Sequence, residues 1–451
     1  MTEFLVVREE GKKQTLHSEK SIERDTPSNA EKRELLKAKR EKFKLEAAEL
    51  KAERKKEREA EKCAARRLRH DKTIAFAGKI SMAAGKIDFD LPVFLIAIVL
   101  GLIGLVFIYS ASSYSGSVEF GDSFKYVKTQ AIAIGVGFIV MLALAYIKID
   151  FLIKIRFVIL GLSLAILALV FIPVIGVESY GAKRWINLGF STIQPSEFAK
   201  FGLVVFVAAQ CSVTGADKFS SMLVPLLGGL SVCLLLMLEP NMSVTVCVFA
   251  VVFSMLFFAG AKIKHLLLIV VPAIAMGVIL ILIEPYRLSR LMAFLDPFSS
   301  PLGEGYQLIQ SYYALGSGGL FGVGLFCSRQ KYLFLPFAES DFIFSIIGEE
   351  TGLFGCLFIM LLFIVLLCRG IKISLNAKNR FSAYMAAGIA VMIAVQTMIN
   401  IAVVSGAIPP TGLPLPFISA GGSSVVAYYM ATGLLLNVSR QKHEKFLSSI
   451  Q

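Results

Sequence analysis

Residues 285–340 carry Arg287, Arg290, Asp296, Glu304, Arg329, Lys331 and Glu339 among the stretches GEGYQLIQS and LGSGGLFGVGLF. Carboxylates can accept a proton from an attacking hydroxyl, and guanidinium and ammonium groups can hold phosphate oxygens, so this loop has the parts for transfer chemistry on a phosphorylated substrate. A second loop, 176–197, reads GVESYGAKRWINLGFSTIQPSE and places the chain's one tryptophan, Trp185, beside Lys183 and Arg184. That trio fits either an interfacial aromatic anchor with a basic flank or an anion site. A third loop, 406–423, is interrupted by proline and glycine (GAIPPTGLPLPFISAGG), which suits a binding wall, because non-helical backbone at membrane depth is tolerated only inside protein or along a cavity.

Other chemistries are excluded or weakened. GSGGLFGVG lacks the GK[ST] ending of a nucleotide loop and no strand precedes it; its glycines suit close backbone packing instead. The seven cysteines show no CxxC spacing, so metal and redox motifs are absent. Five carboxylates stand at or inside apolar runs: Glu197, Glu239, Asp341, Glu349 and Glu350. Each costs roughly 2.5–3.5 kcal/mol at a span centre unless paired or hydrated. The depth of Glu349 and Glu350 marks them as structural partners of a buried cation or of backbone.

The elements that must position these loops are membrane helices. The 451 residues are 56% hydrophobic with a mean hydropathy of +0.70, well above the roughly 45–50% apolar content of a soluble chain. The sequence predicts an all-α polytopic membrane protein with ten spans near 91–111, 129–147, 155–175, 196–213, 221–238, 242–260, 265–284, 341–368, 382–405 and 421–438. The long loop then lies between spans seven and eight. Basic residues gather in alternate gaps and at the C-terminus, at Lys148, Lys154, Lys218, Lys262, Arg369, Lys378 and Arg440 among others. By the positive-inside rule both termini are cytoplasmic and the three loops face outward. All four histidines then fall inside, so an outward site has no imidazole and acid/base work falls to carboxylates.

Residues 1–90 form a separate charged tail holding 24 of the 46 Lys+Arg. Its stretch Glu31–Arg69 is rich in helix formers and in opposite charges three or four apart, which predicts a solvated helix, with weak heptad pairing or contact with anionic lipid as further options. The basic total of +13 is accounted for by membrane flanks and does not call for nucleic acid. The transmembrane domain spans 91–440, and a short cytoplasmic tail, 441–451, follows it.

Five stretches resemble the FtsW/RodA/SpoVE (SEDS) family, the bacterial polymerases of peptidoglycan from lipid II: AKRWINLGFSTIQPSEFAK at 182–200, LEPNMS at 238–243, FLDPFSSPLGEGYQLIQS at 294–311, FLPFAESDFIFSIIGEETGLFG at 334–355 and INIAVVSGAIPPTGLPLPFISAGGSS at 399–424. The IQPSEFAK and RQKYLFLP versions look closer to the division and sporulation branch. The resemblance implies glycosyl transfer on the outer membrane face, in which the 4-hydroxyl of an incoming lipid II attacks the anomeric carbon of a polyprenyl-linked glycan and expels polyprenyl pyrophosphate. It implies a class B penicillin-binding transpeptidase as partner and a place at the division septum or in sporulation. A divalent cation, Mg or Mn, bridging the pyrophosphate would suit the chemistry, although no dedicated ligand set is visible. Carried over position by position, it implies substrate contacts from Lys183, Arg184, Trp185, Gln194, Ser196, Glu197, Arg287, Arg290, Gln307, Lys331, Asp341, Pro414 and Ser423.

The sequence departs from the family pattern at its centre. Ser300 stands where the family has an aspartate before the GYQ motif, and Asn241 stands where LEPNMS commonly has another. A serine hydroxyl does not accept a proton near neutral pH as a carboxylate does. Asp296 and Glu304, four residues to either side of Ser300, are the substitutes, although Pro297 and Pro301 oppose a regular helix between them. An active polymerase would use one of these two. The other readings are a scaffold or regulator that binds lipid II and a transpeptidase without catalysis, and a lipid-linked precursor flippase; the last lacks the inverted repeat common in transporters.

Overall fold

The computed structural model describes residues 88–448, apart from 174, 180–181, 188 and 190–191, together with Lys37 and Lys42. The chain divides into two compact units, Met1–Lys86 and Ile87–Gln451, and the second is described here. The expectations for the charged tail, including its helix over Glu31–Arg69, lie outside the described residues.

Among the described residues, ten principal helices build the unit, all but the last of them apolar: α1 (Leu91–Phe120), α2 (Lys125–Tyr146), α4 (Arg156–Ala168), α5 (Pro195–Thr214), α6 (Phe219–Leu238), α7 (Met242–Phe258), α8 (Ile263–Ile283), α11 (Ile343–Leu375), α12 (Arg380–Val404) and α13 (Gly422–Ser448). Seven are long and apolar enough to cross a bilayer; α4 and α7 are shorter apolar helices. The chain is a multi-span α-helical membrane protein, and each predicted span overlaps one of these helices. Short helices fill the connections: α3 (Asp150–Lys154), α9 (Pro285–Leu295) and α10 (Tyr306–Gly318).

The first loop departs from the all-α expectation. The span predicted to run to 175 stops at Ala168, and after a 3-10 turn over Leu169–Phe171 the chain forms a three-stranded antiparallel sheet: β1 (Gly176–Ser179), β2 (Ala182–Asn187) and β3 (Thr192–Ile193). Pro173 has no N–H to continue a helix, and the β-formers Val177, Trp185, Ile186 and Thr192 pair across the sheet, Val177 opposite Trp185 and Asn187 opposite Thr192.

Buried side chains satisfy the irregular backbone of the loop 405–421. Asn400 Nδ2 donates to the carbonyls of Asp341 and Leu413, each at 2.8 Å, and Ser419 Oγ donates to Ser340 O at 2.6 Å. Gln130 donates to Ser419 O at 3.0 Å and accepts from Gly421 N–H. In hydrocarbon an unmet carbonyl costs several kcal/mol, so these three residues fix the loop against α2, α11 and α12.

The glycine-rich stretch packs backbone on backbone, as its composition predicts. A Cβ on Gly318 would stand 2.0 Å from Gly348 O, and one on Gly322 2.1 Å from Glu350 O. Opposite them α11 breaks at Gly352 (φ 66°), and the exposed amides of Val323 and Gly324 donate to the carbonyls of Glu349 and Glu350. The two carboxyls are structural. Glu349 accepts from Arg329 N at 2.9 Å and from Ser328 Oγ, and Glu350 accepts from Ser110 Oγ at 2.5 Å and lies 3.7 Å from Lys331 Nζ.

Candidate active site

At the loop end of the bundle, a cavity of about 600 Å³ opens between β2, the α6–α7 turn, the end of α8, α9 and the segment 408–411. Local rules bring each wall there. In β2 successive side chains alternate faces, so Arg184 lines the cavity while Lys183 and Trp185, its neighbours, do not. Arg184 is held by the turn it faces, its guanidinium donating to Glu239 O at 3.4 Å and to Pro240 O. Helix α9 starts at Pro285, and Arg287 and Arg290, three residues apart, fall on one face. Both line the cavity together with Glu284.

The bend after α9 delivers the acid. A 3-10 turn over Pro297–Ser299 closes on Ser300 N–H, which donates to Pro297 O, and a Cβ on Gly305 would come within 2.2 Å of the same oxygen. This tight return brings Glu304 back to α9, where its carboxylate lies 3.8 Å from Arg290. Gln307, one helical turn beyond, joins Arg290 and Glu304 around a small cleft bordered by Pro410. Arg290 lines both the cleft and the cavity, so Glu304 stands at the cavity's margin. Asp296 is exposed at the C-terminus of α9 and lines neither.

Burial shapes the carboxyls nearby. In the α6–α7 turn, Glu239 is 1% exposed, and loss of water pushes its carboxyl up to about 8, against the pull of Arg184. Asp341, just before α11, is raised to about 6 by burial and then by Glu339, with Arg290 and Arg184 pulling it down. Asp341 is therefore within electrostatic reach of two of the cavity's arginines, Arg184 and Arg290.

The other residues that the sequence singles out fall elsewhere. Gln194, Ser196, Glu197, Pro414 and Ser423 form a second group where α5 meets α12 and α13. Gln194 N–H donates to Ser423 Oγ at 3.1 Å; Lys200 bonds Glu197 at 2.8 Å and Gln396 at 2.6 Å; Gln396 donates to Pro414 O at 2.9 Å. Glu197 and Lys200 are wholly buried, so this group ties the third loop to the bundle. Lys331, expected at the pyrophosphate, is 6% exposed, donates to Phe326 O and neighbours Glu350; its charge is engaged in the loop's own packing. Glu284 and Thr411 are cavity walls that the sequence alone does not reveal, whereas Asn241, marked in the sequence as a departure from the family's aspartate, lines the same cavity.

Among known proteins, the family model described as "Cell cycle protein" (FtsW/RodA/SpoVE) matches residues 90–444. Stage V sporulation protein E of Bacillus subtilis (strain 168) is 41% identical over 362 residues, 80% of this chain and 99% of that protein. A probable peptidoglycan glycosyltransferase FtsW of Geobacter sulfurreducens (strain DL-1 / KN400) is 39% identical over 358 residues, 78% of this chain and 95% of the relative. Among solved structures, a chain of a peptidoglycan synthase complex that coordinates polymerization and crosslinking aligns with a TM-score of 0.66 at 29% identity, covering 79% of this chain and 99% of that one. The rod shape determining protein RodA of Thermus thermophilus aligns at 0.60 and 26%, covering 79% and 98%.

Proposed function

Because the chain belongs to the FtsW/RodA/SpoVE family, we propose that it is a peptidoglycan glycosyltransferase that polymerises lipid II on the outer face of the cytoplasmic membrane, in division or sporulation. The observation that carries this is the convergence of Arg184, Arg287 and Arg290 on one cavity at whose margin Glu304 stands. The two termini lie in the cytoplasm, and the alternate placement of lysine and arginine supports that orientation.

In the reaction, the 4-hydroxyl oxygen of the acceptor bonds to the anomeric carbon of the donor. Its proton passes to the Glu304 carboxylate, and the bond from that carbon to the diphosphate breaks, the electron pair leaving with polyprenyl diphosphate. The three guanidiniums stabilise the charge gathering on the leaving group. Glu304 is favoured over Asp296 by position, since Asp296 lines neither cleft nor cavity. Ser300 shapes the turn that carries Glu304 and takes no proton. A divalent cation would have to be held by the diphosphate itself: the cavity's lining offers one carboxylate, Glu284, against three guanidiniums, and no three metal-ligating side chains cluster among the described residues.

A class B penicillin-binding transpeptidase is the proposed partner, in keeping with this chain's likeness to a component of a peptidoglycan synthase complex. The test is polymerisation of labelled lipid II by purified full-length protein, alone and with a cognate transpeptidase. Absence of glycan in both conditions, against an active family member, would leave the scaffold reading, which the serine at position 300 favours.

A further inference from the structure

Helix α9 leaves one face uncovered. Arg287, Arg290 and Leu291 line the cavity and Ala293 is buried, whereas Leu288, Met292 and Leu295, at positions i, i+4 and i+7, are exposed. Met292 and Leu295 are 59% and 67% exposed, and the bend beyond adds Phe298 and Leu302, the latter at 91%. None of the five carries a charge. So many exposed apolar side chains in one connection mark a contact surface.

The preceding helix indicates what covers this face. Helix α8 has 21 residues, about 31 Å at 1.5 Å per residue, which matches a hydrocarbon core of about 30 Å. Lys262 and Lys264 at its start belong at one membrane boundary, so Ile283 reaches the other. Among its described side chains only Leu266 is buried, and Ile279, Leu282 and Ile283 in its last turns are exposed, so α8 faces lipid to its end. A single residue, Glu284, ends α8 and caps α9, and its backbone is extended (φ −94°, ψ 109°). Helix α9 therefore begins at that boundary and is no continuation of the span. Arg287 Nη1 donates back to Leu280 O at 3.2 Å, which fastens the first turn of α9 to the last turn of α8. With no linker to lift it away, the apolar stripe of α9 continues the lipid-facing surface of α8.

We propose that α9 is an interfacial anchor whose stripe of Leu288, Met292 and Leu295 lies in the acyl-chain boundary of the outer leaflet, with phospholipid as its partner. Amphipathic helices of this kind sink their apolar face roughly 5–10 Å into that boundary. The same helix carries Arg287 and Arg290, so the bilayer sets the height of these cavity cations, and the cavity opens at the level of the headgroups. The assignment rests on the span of α8 and on the stripe, and not on the chemistry proposed for the cavity.

The test places a fluorophore in the stripe. Met292→Trp and Leu295→Trp are made separately in full-length protein carrying Trp185→Phe, which removes the only native tryptophan, and each is reconstituted in nanodiscs of phosphatidylglycerol and phosphatidylcholine. Val271→Trp, on the exposed surface of α8 near mid-span, sets the deep limit, and N-acetyltryptophanamide in buffer sets the aqueous one. Phospholipid brominated near the top of the acyl chain should quench both stripe variants about twofold, and more strongly than lipid brominated near the chain end, with the reverse order for Val271→Trp. Aqueous iodide should quench both stripe variants about fivefold less than the free indole. Melting behaviour like that of the Trp185→Phe parent shows that a variant is folded, and the two stripe positions report independently. Free access of iodide with no effect of bromine overturns the assignment. Protection from iodide without quenching by bromine also overturns it and means that protein covers the face: a second copy if it occurs in discs holding this chain alone, the transpeptidase if it appears only when that partner is added. Glycan synthesis by wild type without bromine quenching of the variants refutes this assignment and leaves the polymerase reading standing.

Discussion

Glu304→Gln separates chemistry from structure, because the contact it removes is weak. Glu304 and Arg290 are 45% and 39% exposed and 3.8 Å apart. An ion pair so hydrated contributes at most about 1 kcal/mol, and glutamine keeps the side chain's length and hydrogen bonding, so the melting temperature should shift by only a few degrees. The catalytic effect is expected to be far larger: removing a general base costs about 10²–10⁴ in rate, or roughly 3–5 kcal/mol of barrier. The assay is initial-rate glycan synthesis from labelled lipid II, run beside pyrophosphate binding, which should hold or tighten once a negative charge is gone. Asp296→Asn should retain rates within about threefold, since that residue lies outside the cavity and cleft. A Glu304→Gln protein with near wild-type turnover, or an Asp296→Asn protein with the larger loss, would refute the reasoning that Glu304 is the proton acceptor.

Three further outcomes follow from other parts of the structure. Lys200→Met should destabilise the detergent-solubilised protein by about 3–5 kcal/mol by leaving Glu197 buried without its cation, and the double variant Glu197→Gln, Lys200→Met should recover much of that loss in a denaturant titration. Glu239, raised to about 8, is neutral at pH 7 and becomes an anion above about pH 8; pyrophosphate affinity measured against pH should therefore fall through that region relative to Glu239→Gln, in which this descending limb is absent. Gly322→Ala meets Glu350 O at 2.1 Å from a backbone at φ +80°, and should lower stability by roughly 2 kcal/mol or more, read as a reduced melting temperature.

How far the site was legible depends on how far apart its parts lie in the chain. The spans follow from hydropathy because each is a mainly apolar run of about the length a bilayer needs, although the one predicted to reach 175 ends at Ala168. Arg287, Arg290 and Glu304 sit within eighteen residues of one another, and their grouping could be read from spacing. Arg184 was recognised by type, but its separation from Lys183 and Trp185 depends on the strand of β2, which a helix-period reading of an apolar chain does not anticipate. Asn241 and Thr411 come from turns far away in sequence and meet only once the bundle closes. For Lys331 the sequence gives charge and not depth: in the fold it is 6% exposed, 3.7 Å from Glu350 and bonded to Phe326 O.

With serine at position 300 the proposed mechanism gives the proton to Glu304, and product length from labelled lipid II tests this most directly. The proteins to compare are purified full-length wild type, Glu304→Gln and Ser300→Asp, each with and without a class B transpeptidase. Glycan strands are expected from wild type, and little or none from Glu304→Gln. Strands only from Ser300→Asp, with wild type inert in both conditions, would contradict the assignment of Glu304.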